Sequence, residues 1–287
     1  MGGVMIRGRN SIAIAVRKMD GSIDISSRPL ANLYKGKWRD VPFIRGVIAL
    51  IEAVVLGTGA LMFSAQVSTE TEQEKITPAM IWGSVALGVA LAVALFFVLP
   101  LLAARLLDPL ISSAFVSNLI EGLIRIIFFI AYLALIGRMP DIREIFAYHG
   151  AEHMSVNAFE AGAPLETGPV RPYSTAHTRC GTSFLLVVLV ISIIVFALLG
   201  RPNIWLSIAS RILMLPVIAA VSYELIKFEA AYSHNRLVHW LLMPGLWLQT
   251  LTTRRPNDQQ LEVAIAAMKK ALETDGVIAS ETPAPAT

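Results

Sequence analysis

The chain is short of charge. Only 16% of its 287 residues are Asp, Glu, Lys or Arg, against about 25% in an ordinary soluble domain. It has one cysteine, Cys180, which excludes an intrachain disulfide framework. A net charge of +3, with basic residues not laid out as a stripe, argues against nucleic acid as a partner. The opening residues lack the apolar core and small-residue cleavage site of a signal peptide. What the chain has in abundance is apolar sequence: 55% of residues are hydrophobic, gathered in long runs. That is the pattern of a polytopic helical membrane protein, mainly α, whose first partner is the lipid bilayer.

The runs divide the chain into three parts. Residues 1–41 are polar and basic, with an alternating Ser11–Val16, the turn pair Asp20-Gly21 and a second alternating piece, Ser22–Ile25. This predicts a small β-hairpin cap, on the cytoplasmic side by its charge. Residues 42–255 form the membrane domain, with apolar runs Phe43–Gln66, Met80–Leu102, Ser113–Gly137, Ser183–Gly200 and Ile204–Ile226. Leu237–Leu251 is short and broken by Pro244-Gly245, so it reads as re-entrant or interfacial. Residues 256–287 comprise an amphipathic helix, Asp258–Glu273, with Asp258 as N-cap and Leu261, Ile265, Met268 and Leu272 on one stripe, then a tail of disordered composition. Four to five spans plus one re-entrant segment are expected. Placing the cap, the polar insert and the C-terminal helix on one side is simplest if Ser113–Gly137, the most polar run, enters and leaves on that side.

The polar insert, residues 138–182, is where chemistry concentrates. It holds three of the five histidines (His149, His153, His177) and Cys180. Residues Ile142–Ala161 suit a helix, although Gly150 costs it about 1 kcal/mol relative to Ala. Within it, His149-Gly150-Ala151-Glu152-His153 is an H-x-x-E-H pattern. Residues three and four apart share a helical face, so both imidazoles can bind one ion, and Glu152 can serve as general base on the same side. His177 and Cys180 are the nearest further ligands, giving an N/S-rich set suited to Zn2+. With all four bound the site is closed and structural; with Cys180 free it is open and catalytic. The carboxylates of Glu160, Glu224 and Glu229 are alternative ligands. Arg171, Tyr173 and Arg179 stand beside the candidate site, as anion-binding groups or as an electrostatic anchor to lipid. Glu52, Glu121, Arg125 and Arg211 lie in apolar runs, either as structural ion pairs or around a polar cavity leading to the site. His234 and His239 read as solvated or capped residues.

At these residues the chain resembles the YqhQ-like family of bacterial polytopic membrane proteins. The similar pieces are Tyr148–His153, Arg179–Phe184, Ser222-Tyr223-Glu224, Pro244–Gln249 and Leu251–Arg254, with Arg45-Gly46, Glu52 and Asn118–Gly122 earlier. They spread over most of the chain, from Gly2 to about Leu272. Thr178 replaces a proline common in the pattern, and the Gly-rich opening Gly2–Gly8 is shortened. The resemblance implies a metal-dependent protein of the bacterial cytoplasmic (inner) membrane, multi-pass, with its N-terminus in the cytoplasm.

Two functional expectations follow. One is a zinc-dependent hydrolase acting on a membrane-associated substrate, such as a lipid-linked ester or a peptide bond, through Glu152 and the H-x-x-E-H site. The other is a non-enzymatic scaffold or biogenesis partner with at most a structural metal, docking a membrane-protein or lipid-linked partner. An uncovered apolar stripe on Leu261–Leu272 would favour the scaffold. A transporter using the buried carboxylates is a weaker third reading, because the spans are few.

Overall fold

The structure is a computed structural model and describes residues 2–69, 77–200, 202–232 and 235–278. It begins with a three-stranded antiparallel sheet: β1 Gly3–Arg7, β2 Ser11–Arg17 and β3 Ile23–Pro29, in the order β1-β2-β3. The expected hairpin is β2–β3, turned through Gly21 at φ 87°, a conformation glycine adopts without steric cost. Sequence reading missed β1, which pairs Val4 with Ala15 and Ile6 with Ala13.

Period-two alternation of small and large apolar residues lets β2 be buried on both faces. Its small residues Ala13 and Ala15, with Val4 and Ile6 beside them, pack against the C-terminal helix. Its large residues Ile12, Ile14 and Val16 pack with Leu30, Tyr34 and Ile48. The sheet is thus sandwiched between the two ends of the protein's helical part.

The helices are α1 Ile44–Thr69, α2 Pro78–Val93, α3 Leu99–Arg105, α4 Ala114–Ile136, α5 Pro140–Glu160, the single turn α6 Thr167–Val170, α7 Gly181–Leu199, α8 Ile204–Leu213, α9 Leu215–Ala231, α10 Arg236–Thr252 and α11 Asp258–Thr274. Four stretches are long and apolar enough to cross a bilayer: Ile44–Ser64, Trp82–Arg105, Ala114–Ile136 and Gly181–Leu199. The bent pair α8–α9, broken by 44°, is a fifth if counted as one span. The protein is therefore a polytopic helical membrane protein. A π-helical segment, Ala94–Val98, joins α2 to α3 just before Pro100. Proline has no N–H to give and crowds the carbonyl four residues back, and the widened turn relieves both.

Two details differ from the sequence reading. The run at Ser113–Gly137 is one continuous helix; the broken segment is α8–α9, with Pro216 in the first turn of α9. Helix α11 is capped by Asn257 in a capping box with Gln260, not by Asp258. Helix α10 is 17 residues long with Pro244 inside it, and is not among the spanning stretches.

The polar residues of α4 do not turn the helix back because they find partners within the helix layer. Glu121, Arg125 and Arg211 are 1–2% exposed. Both Glu121 oxygens are used: Arg125 Nη2 donates to one at 2.7 Å, and Arg211 Nη2 to the other at 2.7 Å. Arg125 Nη1 donates to Ser192 Oγ at 2.8 Å, and both guanidiniums lie over the Phe196 ring at 5.2 and 4.8 Å. Asn118 Nδ2 donates to the carbonyls of Phe196 and Gly200, both at 2.9 Å. This cluster locks α4, α7 and α8 together.

Glu121→Gln leaves two guanidiniums facing each other without a counter-charge. Breaking a buried ion pair from one side costs about 3–5 kcal/mol. Denaturant unfolding in detergent micelles is expected to show a loss of that size; an unchanged midpoint would mean the cluster contributes nothing to the fold.

Candidate metal centre

Helix α5 presents His149, Glu152 and His153 on one face, with the two imidazole centroids 4.4 Å apart. Gly150 sits between them because the segment joining α10 to α11 crosses α5 here. A side chain at this position would collide with the Arg254 carbonyl. The close crossing is fixed by Arg254 N, which donates to Phe146 O at 2.8 Å. It also delivers the Thr252 carbonyl to His149 Nδ1 at 2.9 Å. The Thr175 carbonyl meets His153 Nδ1 at 2.7 Å in the same way, and the 174–176 segment is held to α5 by Asn157 Nδ2, which donates to Ser174 O and Ala176 O at 2.8 and 3.0 Å.

A carbonyl can only accept a hydrogen bond. Each Nδ1 therefore carries a proton, so that Nε2 offers its lone pair whenever the ring is neutral and donates when the ring is charged. This is the orientation that metal-binding histidines adopt when an outer group fixes their tautomer.

Cys180 completes the group. It caps α7, its Sγ accepting from Thr182 N at 3.4 Å, and lies 3.3 Å from His149 Nε2. The ligand atoms of His149, His153 and Cys180 all lie within 4.8 Å of one another. A tetrahedral zinc with bonds of roughly 2.0–2.3 Å sets its donors about 3.3–3.8 Å apart, so small side-chain shifts suffice for all three to reach one ion. The donor set, two imidazoles and one thiolate, suits zinc.

The electrostatics fit the same use. Burial disfavours a thiolate at Cys180, but hydrogen bonds from His149 and His153, the His149 charge and the Thr182 hydroxyl outweigh it and hold the thiol down at about 5. Burial also opposes a charge on His149, yet contact with Cys180 leaves its imidazole above its ordinary value. Burial raises the Glu152 carboxyl above the usual carboxylate range, with His149 and His153 pulling the other way. Glu152 makes no hydrogen bond or ion pair to a described residue.

The remaining candidates lie elsewhere. His177 is next to the group, its ring 5.8 Å from that of His153, but it is not one of the three clustered donors. Its Nδ1 accepts from Arg179 N at 3.2 Å and its Nε2 faces Glu160 Oε2 at 3.4 Å; burial lowers its pKa. Glu160 also pairs with Arg179. Arg171 pairs with Asp258 of α11. Glu52 is bound by Arg7 and Arg39 of the cap, at 2.7 and 3.0 Å, and Glu224 by Arg45 and the Phe43 N–H. Glu229, buried in α9, is outside the donor group. Arg125, which pairs with Glu121, donates to Ser192, twelve residues along α7 from Cys180, a rise of about 18 Å. His234 and the side chain of His239 lie outside the described residues.

The family model described as "Protein of unknown function (DUF1385)" matches residues 41–274. The chain belongs to this family. It is also 31% identical to the uncharacterized protein YqhQ of Bacillus subtilis (strain 168), over 96% of this chain and 91% of that protein. No solved structure matches it. The family match takes in α5, α7 and the α10–α11 crossing, so every element that builds the donor group lies within it.

Sequence reading did not find Gln249. It is fully buried on α10, accepts from His177 N and donates to His177 O and Ser183 Oγ, all at 2.9 Å. It thereby fixes the segment that carries Cys180. The signal was present: an amide in an apolar helix must be satisfied by something.

With its pKa depressed, the thiol of the metal-free protein keeps its thiolate as pH falls and loses it only through about pH 5. As Cys180 is the only cysteine, thiolate ultraviolet absorbance reads it directly. His149→Ala is expected to move the midpoint up toward the free-thiol range of about 8.5; a wild-type midpoint already there would contradict the contact.

Proposed function

We propose that this protein is a divalent-metal-dependent hydrolase of the bacterial inner membrane, with its centre at the cytoplasmic face. The observation that carries the reading is the pair of backbone carbonyls, Thr252 O and Thr175 O, that turn both histidine Nε2 atoms toward the Cys180 sulfur. Three protein donors suit a catalytic rather than a closed zinc site, since a tetrahedron then keeps one position for water or substrate. Such an ion would supply Lewis acidity toward water and the scissile group. The chain's own contribution is Glu152. Its raised pKa suits a general base, which takes a proton from the attacking water and returns it to the leaving oxygen as the ester bond breaks. The cytoplasmic side is supported by charge: the basic cap, the α5–α7 segment and α11 pack together at one end of the helix layer, as the positive-inside rule favours.

The Cys180–His149 contact of 3.3 Å favours one other reading, covalent acyl transfer. Cys180 would be the nucleophile, His149 its base and Thr252 O the group that orients the base. The scaffold reading has less to support it. The stripe Leu261, Ile265, Met268 and Leu272 that would dock a partner is covered by the protein's own sheet and α5.

Elemental analysis of the detergent-purified protein is expected to give about one zinc per chain, absent from His149→Ala/His153→Ala. Hydrolysis of p-nitrophenyl dodecanoate should fall about 10²–10⁴-fold in Glu152→Gln, with the zinc retained. A well-folded wild type that takes up no zinc on reloading would sink the metal reading. Cys180-dependent turnover without metal would favour acyl transfer.

A further inference from the structure

A cavity of about 380 Å³ opens between α1, α7 and α9, immediately beside the donor group. Leu50, Ala53, Phe184 and Ile226 give it apolar walls, and Cys180, a donor, lines it too. So do two cations, Arg179 and Lys227. Its size is at the lower end of small-molecule sites, roughly 300–1,000 Å³. The clamp between Arg45 and Glu224, with Gly46 lying directly on Ala220, sets α1 against α9 and keeps the two walls in place.

The charges beside these walls are available. Lys227 is exposed and makes no salt bridge to a described residue. Arg179 has one, to Glu160, but its side chain is 61% exposed. A pair so exposed contributes little, about 0–1 kcal/mol, so a ligand anion can replace Glu160 at small cost. An apolar slot among spanning helices, with two cations and a metal donor along it, matches one kind of molecule: a chain with an anionic head. A helical peptide, roughly 10–12 Å across with its side chains, takes up about 400 Å³ or more per turn, so the cavity of about 380 Å³ has no room for a docked helix of several turns. A neutral apolar molecule would leave both cations unused.

We propose that this cleft takes the acyl chain of a single-chain anionic amphiphile from the bilayer, its head group between Arg179 and Lys227 and its head-to-chain ester beside Cys180. Which bond is cut rests on the metal-centre reading; binding in the cleft does not. Hydrolysis there adds water across the ester, giving a free acid and an alcohol.

The probe is dodecyl phosphate with a diazirine at the chain end, photolysed with the full chain in detergent micelles and mapped by mass spectrometry. Labelling is expected at Leu50–Ala53 and Phe184, competed by unlabelled dodecyl phosphate and not by dodecanol. Ala53→Trp, at an exposed position where the fold tolerates bulk, and Arg179→Gln/Lys227→Gln should each reduce it at least tenfold. His149→Ala/His153→Ala should label like wild type, so loss of zinc and loss of lipid are read separately. Labelling spread evenly over α2 and α4 and unchanged in Ala53→Trp would overturn the proposal, as annular lipid only. Equal competition by dodecanol, or competition by an apolar helical peptide alone, would overturn it as well.

Discussion

Two hydrogen bonds from imidazole to backbone govern the candidate centre. A histidine ring on an isolated helix can rotate and exchange tautomers. Here the carbonyls of Thr252 and Thr175 each accept from an Nδ1, which fixes the ring and the tautomer at once. Neither carbonyl belongs to α5. One comes from the end of α10 and the other from the segment before α7, so the site exists only when three parts of the chain have met. Gly150 permits the first meeting and Gln249 and Asn157 hold the second.

The same dependence runs through the ends of the molecule. The N-terminal sheet presents its small residues to α11, and α11 in turn packs on α5. Asp275, just past α11, accepts from the backbone N–H groups of Arg9 and Asn10 and from the Ser11 hydroxyl. The cap and the C-terminal helix are thus one layer, laid over the outer face of the helix that carries the histidines. Below it, Glu52 ties α1 to the cap through Arg7 and Arg39. At the other end of α7, the Glu121–Arg125–Arg211 cluster holds the helices without reaching the centre. Buried charge here serves packing at one end and links cap to membrane at the other.

The spans, the β2–β3 hairpin and the helix around His149 were legible in the sequence because each is written in local pattern: apolar length, period-two alternation, a ligand spacing of one helical turn. Cys180 was legible as a donor by proximity. What was not legible depends on contacts far apart in the chain. Strand β1 has no turn signature that separates it from a basic arm. Gly150 looked like a defect in α5 until the crossing segment gave it a reason. His177 reads like its neighbours, yet its ring bonds run to Glu160 and the Arg179 N–H. The polarity of Ser113–Gly137 suggested a helix that turns back; its partners Arg211 and Ser192 lie roughly 70–90 residues away, beyond the reach of local pattern.

The central claim is a centre built from two imidazoles and one thiolate. X-ray absorption at the zinc edge of the zinc-loaded protein tests it most directly. One sulfur at about 2.3 Å and two or three nitrogen or oxygen neighbours at about 2.0–2.1 Å are expected, with imidazole scattering behind them and the sulfur shell gone in Cys180→Ser. A first shell of oxygen and nitrogen alone in the wild type, or one unchanged by Cys180→Ser, would contradict it.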